Sequence, residues 1–307
     1  MLYICGTPIG NLEDMTYRVV RVLSEVDLIA AEDTRQSVKL LNHFDIKTPL
    51  TSYYEHNKDV KGPQLIKLLQ EGKDIALVTD AGMPGISDPG EDLIKLCYEN
   101  DVPVTVVPGP TAVVTALVLS GLNSRSYIFE GFLPRNKKQR TEVLERLVDE
   151  SRTTVFYEAP HHLVDTLESI YKTVGDRNIA VARELTKKHE TVNRGTVGEV
   201  LEYFKKNEPK GEFVLVLEGK DKEKIKEDKI ASFEEMTIEE HFNMYIEQGM
   251  SEKDAMKQVA KDRGIGKRDV YAYIKNKLIL IFNKLIRICA NSTLEESCRF
   301  YLSLFSR

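Results

Sequence analysis

Asp80 and Asp88 stand in the stretch VTDAGMPGISDPG, Val78 to Gly90, in which glycines, prolines and the two carboxylates follow an apolar run, Ile75-Ala76-Leu77-Val78. No helix or strand interior carries that composition, so it predicts a long, shaped loop at the carboxyl end of a buried strand. In open α/β folds such loops bind ligands. The sheet holds them rigid, and glycines such as Gly82, Gly85 and Gly90 let backbone amides and carbonyls approach a small molecule. Carboxylates placed there can take a proton from a reacting group. The bland alternative is a surface loop made of turn residues.

Further polar residues fall at strand ends. Gly6-Thr7-Pro8-Ile9-Gly10 breaks the apolar run Leu2 to Cys5, which predicts a first strand and a loop whose backbone, around Gly6, Pro8 and Gly10, can press on a ligand. The spacing is not a dinucleotide fingerprint, and no GKS or GKT forms a P-loop, so nicotinamide and nucleoside-triphosphate chemistry lose their main support. Glu32-Asp33-Thr34-Arg35 closes a second strand, Leu28 to Ala31. Asp33 and Arg35 are candidates for chemistry there, against the plainer reading that Asp33 or Thr34 caps the next helix. His56 lies in a polar turn, Ser52 to Asn57. A small-residue helix, Thr111 to Leu119, begins after Pro108-Gly109-Pro110. Its free amides make Thr111 and Ala112 contacts for a ligand carboxylate.

Taken together, VTDAGMPGISDPG, GTPIGN at Gly6 to Asn11 and VPGPTA at Val107 to Ala112 resemble the motif set of the tetrapyrrole-methylase superfamily. AAEDTR at Ala30 to Arg35, EGFLPR at Glu130 to Arg135 and FYEAPHHL at Phe156 to Leu163 resemble one branch of it, the small-subunit ribosomal RNA cytidine 2'-O-methyltransferases. Several motifs in order, over roughly the first two thirds of the chain, are far more specific than one glycine loop. The resemblance implies S-adenosylmethionine as cofactor, folded between two α/β domains. It also implies cofactor contacts at Gly6, Asp88, Thr111, Ala112, Glu158 and Ala182, a 16S ribosomal RNA substrate in the small ribosomal subunit, and a homodimer.

The elements that must position these residues alternate strand and helix, which predicts a parallel sheet over residues 1–109 with helices on both faces. A second α/β unit over 110–220 has strands at Ser126 to Glu130, Thr153 to Tyr157, Asn178 to Arg183 and Glu212 to Leu217, and helices at His161 to Val174 and Val197 to Lys206. The expected fold class is therefore two α/β domains forming a cofactor cleft, with a small all-α helix-turn-helix domain behind them. The nearly all-charged Lys220 to Lys229 predicts a linker over 221–236. Three short helical patterns over 237–277 turn at Gly249 and Gly264-Ile265-Gly266 and read as a helix-turn-helix. Between Ser251 and Lys277 eight Lys/Arg oppose four Asp/Glu, so this unit is an RNA-binding candidate through Lys267 and Arg268, against a packing appendage with a solvated face. Residues 278–307 contain the apolar run LILIF, too short and too interrupted by charge for a membrane span, and have no functional reading.

Composition sets the limits. With 42% hydrophobic and 30% charged residues the chain is globular, and its net charge of −5 argues against binding nucleic acid through overall charge. Any RNA surface must be a local basic patch. Arg135-Asn136-Lys137-Lys138-Gln139-Arg140 is one, so Arg135, Lys137, Lys138 and Arg140 are RNA-binding candidates. The four cysteines show no metal-ligand spacing and no metal is expected. They suit a reducing compartment, and the start MLYICGTP has no basic leader, so a cytoplasmic protein is expected.

If the cofactor supplies an activated methyl group, the protein must align an attacking oxygen with it, exclude water and provide a base, because a ribose hydroxyl is a poor nucleophile until deprotonated. Asp80, Glu184 and Lys187 are the first candidates, Lys187 only if its ammonium is desolvated and loses its proton. Asp33, Arg35 and His56 come next, and sequence does not rank them. Two rivals stand beside this reading. A precorrin-type tetrapyrrole C-methyltransferase shares the cleft but has no need of the basic patches. A non-catalytic RNA-binding adaptor has no need of the cofactor loops.

Overall fold

The computed structural model describes residues 1–234 and 236–275. Two compact units divide the chain, Met1–Lys220 and Asp221 onward. The 278–307 extension and the last two residues of the expected helix-turn-helix lie outside the described residues.

The first unit holds two five-stranded sheets. In the first, β1 (Leu2–Cys5), β2 (Leu28–Ala31), β3 (Leu50–Ser52), β4 (Ile75–Val78) and β5 (Val104–Val107) are all parallel, in the order β3-β2-β4-β1-β5. Period-2 alternation decides the faces. Leu2 and Ile4 enter one core with α3 (Lys58–Gln70) and α4 (Gly90–Glu99), while Tyr3 and Cys5 enter another with α1 (Tyr17–Glu25) and α2 (Thr34–His43). Both faces being covered, β4 is buried at every residue, as a central parallel strand must be. Each fully buried aliphatic side chain there contributes roughly 1.5–3 kcal/mol. Thr16 caps α1 by accepting from the Val19 amide, which aims Val19, Val22 and Leu23 at the sheet.

The second sheet is mixed, in the order β6-β7-β10-β8-β9. β6 (Tyr127–Phe132) runs parallel to β7 (Thr153–Glu158), and β10 (Phe213–Leu217) pairs antiparallel with β7 and with β8 (Asn178–Arg183). β9 (Thr191–Thr196), a polar edge strand that hydrophobic patterning does not reveal, pairs with β8. One face carries α6 (Lys137–Arg146), α7 (Leu163–Thr173) and α8 (Val197–Lys206) around Phe156, Leu167 and Leu215. The other carries α5 (Ala112–Ser120), whose Val113, Ala116 and Leu117 pack with Val155, Ala180, Ala182 and Val214. α5 follows β5 in the chain but packs on the second sheet, so it joins the two halves of the unit.

In the second unit the expected linker is a helix, α9 (Lys222–Glu234). Lys, Glu, Ile and Ala are good helix formers, and Lys226 pairs with Glu223 at 2.9 Å, so a charge run here makes a surface helix rather than a flexible tether. α10 (Ile238–Glu247), closed by a Thr237–Glu240 capping box, α11 (Glu252–Asp262) and a helical stretch over 267–275 enclose Phe242, Met256, Val259 and Val270. Gly264, at φ 63°, makes the turn between the last two. Fully buried His241 stacks on Phe233 at 4.0 Å and accepts from Arg263 Nε at 3.1 Å. Burial, reinforced by the Arg263 charge, pushes its pKa down.

Candidate active site

A cavity of about 730 Å³ opens within the first unit, a volume typical of small-molecule sites at ~300–1,000 Å³. Carboxyl ends of the first sheet's strands supply its polar wall: Glu32 after β2, and Thr79, Asp80, Gly82 and Asp88 after β4. Strands β6 and β7 supply an aromatic wall of Tyr127, Phe129, Phe132 and Tyr157, and Thr111 and Ala112 bring in the start of α5.

The polar wall is held by backbone hydrogen bonds. Thr7 and Gly82 exchange two of them, Thr7 N–H to Gly82 O at 2.9 Å and Gly82 N–H to Thr7 O at 3.1 Å, and the Thr7 hydroxyl donates to Thr79 O at 3.0 Å. Gly82 takes φ 82°, which side-chain-bearing residues rarely adopt. Asp88 accepts from the amides of Gly85, Ile86 and Gly90 at 2.7–3.1 Å, so its carboxylate shapes the loop from inside. Glu158 is likewise engaged, by the Ala159 amide at 2.8 Å and the Thr166 hydroxyl at 2.5 Å.

Asp80 is arranged differently. Its Oδ1 accepts from the Asp33 amide at 3.1 Å, and among the described residues Oδ2 accepts nothing. Burial raises its pKa most. The Asp33 amide opposes that shift and the Glu32 and Asp33 charges add to it, for a net rise. Glu32 is oriented by the Thr79 hydroxyl, which donates to Oε2 at 2.6 Å. Sequence reasoning passed over Glu32 and Thr79 as site residues. Their nearness to Asp80 follows from β2 and β4 being neighbours, which strand sequence order does not reveal.

Several expected site residues lie elsewhere. Gly6, Pro8 and Gly10 do not line the cavity. A Cβ on Gly6 would meet Met83 Sδ at 2.6 Å and Gly109 Cα at 2.7 Å, and one on Gly10 would meet Lys187 Cγ at 2.5 Å, so these glycines serve close packing of loop on loop. Ala182 is buried on β8 beside Val214 and is also off the cavity wall.

Lys187 is not a free base. Its ammonium donates to Glu212 at 2.8 Å and Glu184 at 3.1 Å, and although burial pulls its pKa down, the two carboxylates more than offset this and raise it. Burial likewise pushes Glu184 up, but the Glu212 amide and Lys187 outweigh it and leave its pKa lowered. Asp33 caps α2 and holds the Arg35 guanidinium at 2.7 and 3.0 Å, and those Arg35 contacts bring its pKa to about 2. His56 is exposed outside the cavity, its ring against Tyr54. The structure thus brings Asp80, Gly82, Asp88, Thr111, Ala112 and Glu158 together, engages Glu184, Lys187, Asp33 and Arg35 in ion pairs and a helix cap away from the cavity wall, and leaves His56 exposed outside it.

One feature borders the cavity, and another follows its lining residue Phe132 in the chain. Thr111 makes no side-chain cap on α5, so the first amides of that helix have no side-chain acceptor from it. Arg135, Lys137, Lys138 and Arg140 come three to eight residues after Phe132, around the start of α6, and form no ion pair among the described residues. No acid stands in the first turn of α6, where carboxylates would favour the helix dipole and cations oppose it. In the second unit Lys253, Lys257 and Lys261 are exposed at helical spacing along α11, and Lys267 and Arg268 are exposed at the next helix start.

The family model for tetrapyrrole (corrin/porphyrin) methylases matches residues 1–201. A Halalkalibacterium halodurans protein named ribosomal RNA small subunit methyltransferase I is 50% identical over 270 residues, 88% of this chain and 93% of the relative. The protein of that name from Bacillus subtilis is 47% identical over 271 residues, covering 88% and 92%. The one from Thermotoga maritima is 48% identical over 220 residues, covering 72% of this chain and 99% of the relative. Among solved structures, the methyltransferase CobJ aligns with a TM-score of 0.55 at 16% identity, over 71% of this chain and 93% of that one. The Thermus thermophilus uroporphyrin III C-methyltransferase aligns with a TM-score of 0.52 at 17% identity, over 71% and 96%. At those identities the two structures speak to the fold alone.

Proposed function

This chain belongs to the tetrapyrrole (corrin/porphyrin) methylase family and is an S-adenosylmethionine-dependent methyltransferase, and from that premise we propose that it methylates the 2'-hydroxyl of a cytidine ribose in the 16S RNA of the small ribosomal subunit. The observation that carries RNA over a tetrapyrrole is the unpaired basic stretch Arg135 to Arg140, which follows the cavity-lining Phe132 in the chain, on a protein of net charge −5. Phosphates explain four cations gathered where they oppose a helix dipole.

The donor set fits the cofactor. The uncapped start of α5 at Thr111 and Ala112 suits its carboxylate, the Gly82 loop offers backbone at close range, and the inner aromatic rings of Phe129 and Tyr157 suit its apolar and π surface, with Phe132 left at the exposed rim. When bound, the cofactor supplies a methyl group already activated by a sulfonium. Asp80 is the base we assign. Its Oδ2 accepts the hydroxyl proton while the Asp33 amide holds Oδ1, and its raised pKa brings it closer to the working pH of a general base. Glu32, with its negative charge nearby, favours the protonated Asp80 that results. Asp88 acts one step removed, by fixing the loop.

The basic stretch of the first unit and, separately, the exposed Lys253, Lys257, Lys261, Lys267 and Arg268 of the second are each proposed to contact RNA. A homodimer, with the exposed Val106, Val114 and Val118 beneath the second copy, completes the reading. Incubating the protein with methyl-labelled cofactor and, separately, small subunits, naked 16S RNA and a precorrin tests it. Label in a ribose 2'-O-methyl cytidine is the expected result, and label in the precorrin alone overturns it.

A further inference from the structure

Phe132 points into the cavity only because β6 is irregular. Opposite residues of neighbouring strands share a face. Phe129 pairs with Val155, Gly131 with Phe156 and Phe132 with Tyr157, so Glu130 is an extra residue in the strand. On β7, Val155 and Tyr157 face α5 and the cavity, while Phe156 faces the opposite core. In a regular strand, residues three apart point to opposite faces. The bulge at Glu130, with Gly131 at φ 66°, puts Phe129 and Phe132 on one face, where both rings flank Tyr157 at centroid separations of 5.0 and 5.5 Å.

The outcome costs burial. Phe132 is 59% exposed and Tyr127 41%, so the strand spends an irregularity on setting an aromatic ring at the cavity rim rather than in a core. Bulges next to active sites re-aim side chains in this way. Arg135, Lys137 and Lys138 begin three residues further along the same connection, so cationic side chains follow an exposed aromatic ring closely in the chain. That pairing of cationic groove and aromatic ring is how single-stranded nucleic acid is held.

We infer that Phe132, re-aimed by the Glu130–Gly131 bulge, is the stacking platform for an unpaired nucleobase, holding the target nucleotide out of its strand so that its ribose reaches Asp80. This rests on the RNA-methyltransferase reading above. Stacking tolerates any base with a π-face, so Phe132 sets position, and recognition of the base edge lies with other groups.

The test compares wild type with Phe132→Ala, Phe132→Leu and Phe132→Trp, using small ribosomal subunits from cells that lack this enzyme. Because Phe132 is largely exposed, the variants should melt at the wild-type temperature. Alanine and leucine should each raise KM for subunits by roughly 10-fold, within the roughly 5- to 150-fold attributable to one stacked base, and tryptophan should stay near wild type. Cofactor affinity by calorimetry should not move in any of them. Rescue by leucine would show an apolar wall without stacking, and a matching loss of cofactor affinity would make the ring part of the cofactor site; either overturns the inference. If wild type methylates subunits and Phe132→Ala has the same KM, the inference alone fails. If wild type does not methylate them, the functional reading fails with it.

Discussion

The backbone amide of Asp33 donates to Oδ1 of Asp80 at 3.1 Å, tying the carboxyl end of β2 to that of β4. Two residues both expected to do chemistry turn out to have a division of labour. Asp33 spends its side chain on Arg35 and the α2 cap, and its backbone on aiming Asp80.

Asp80→Asn keeps the acceptor for the Asp33 amide but removes the base. Methyl transfer should fall on the order of 10²–10⁴-fold with cofactor affinity retained. Stability should move the other way. A carboxyl whose pKa is raised in the folded state contributes stability fully present below its unfolded value, near 3.9, and lost as pH rises through the folded value. At pH 7 wild-type Asp80 is charged in an unfavourable place, so the variant should melt slightly higher than wild type, and the gap should close as pH falls into the carboxylate range. Thermal melts across pH 4–7 check the sign, and unchanged turnover removes Asp80 as base.

Asp88→Ala leaves the amides of Gly85, Ile86 and Gly90 without their acceptor. Hydrogen bonds to a charged group are worth roughly 1.5–3 kcal/mol each, so the loop should lose its shape and cofactor affinity should drop by at least about 10-fold. Calorimetry with S-adenosylmethionine reads it. Asp88→Asn, which keeps one acceptor oxygen, should fall in between.

Lys187→Met should leave the pH dependence of turnover unchanged, because the ammonium is paired with Glu184 and Glu212 and its pKa is raised rather than lowered. Loss in this variant of the acid-side limb, on which turnover rises with pH, would restore Lys187 as the proton acceptor.

Neutralising Arg135, Lys137, Lys138 and Arg140 together should weaken RNA binding and flatten its salt dependence by up to about 3–4 units of log–log slope, at ~0.7 per single-strand contact and ~0.9 in duplex. Cofactor affinity should hold. Parallel salt slopes for wild type and variant would show that these side chains serve solubility alone.

Ending the chain at Lys220 should leave a folded unit that binds cofactor within about twofold of the full protein, a shift under ~0.5 kcal/mol, because both sheets and the cavity precede that residue. The Thermotoga maritima relative is matched almost end to end over 220 residues, as many as this unit holds. Affinity for small subunits should fall. If equilibrium binding to subunits is the same for the truncated and full chains, the second unit is not a substrate-binding module.

Sequence alone determined the fold class and the family. Buried strands, glycine-rich strand ends and ordered motifs are local patterns, and Val78 to Gly90 is legible from its residue types as a long shaped loop at a strand's carboxyl end, the place it takes in lining the cavity. What each polar group does was decided by the tertiary structure. Whether Asp80 or Lys187 can accept a proton depends on neighbours far away in the chain. Asp80 lies by Glu32 and Asp33 because β2 and β4 are adjacent, and Lys187 lies by Glu212 because β10 runs beside β8. Asp33 shows the limit from the other side, since the plain capping role visible in its sequence context is the one its side chain fills. Charge composition over 221–236 suggested a linker, and good helix formers with Phe233 to stack on His241 make Lys222–Glu234 of it a helix, which charge alone does not show. Phe132 is the clearest case. Alternation places it opposite Phe129, and a single extra residue in β6, detectable only from the register against β7, turns both rings to the same face.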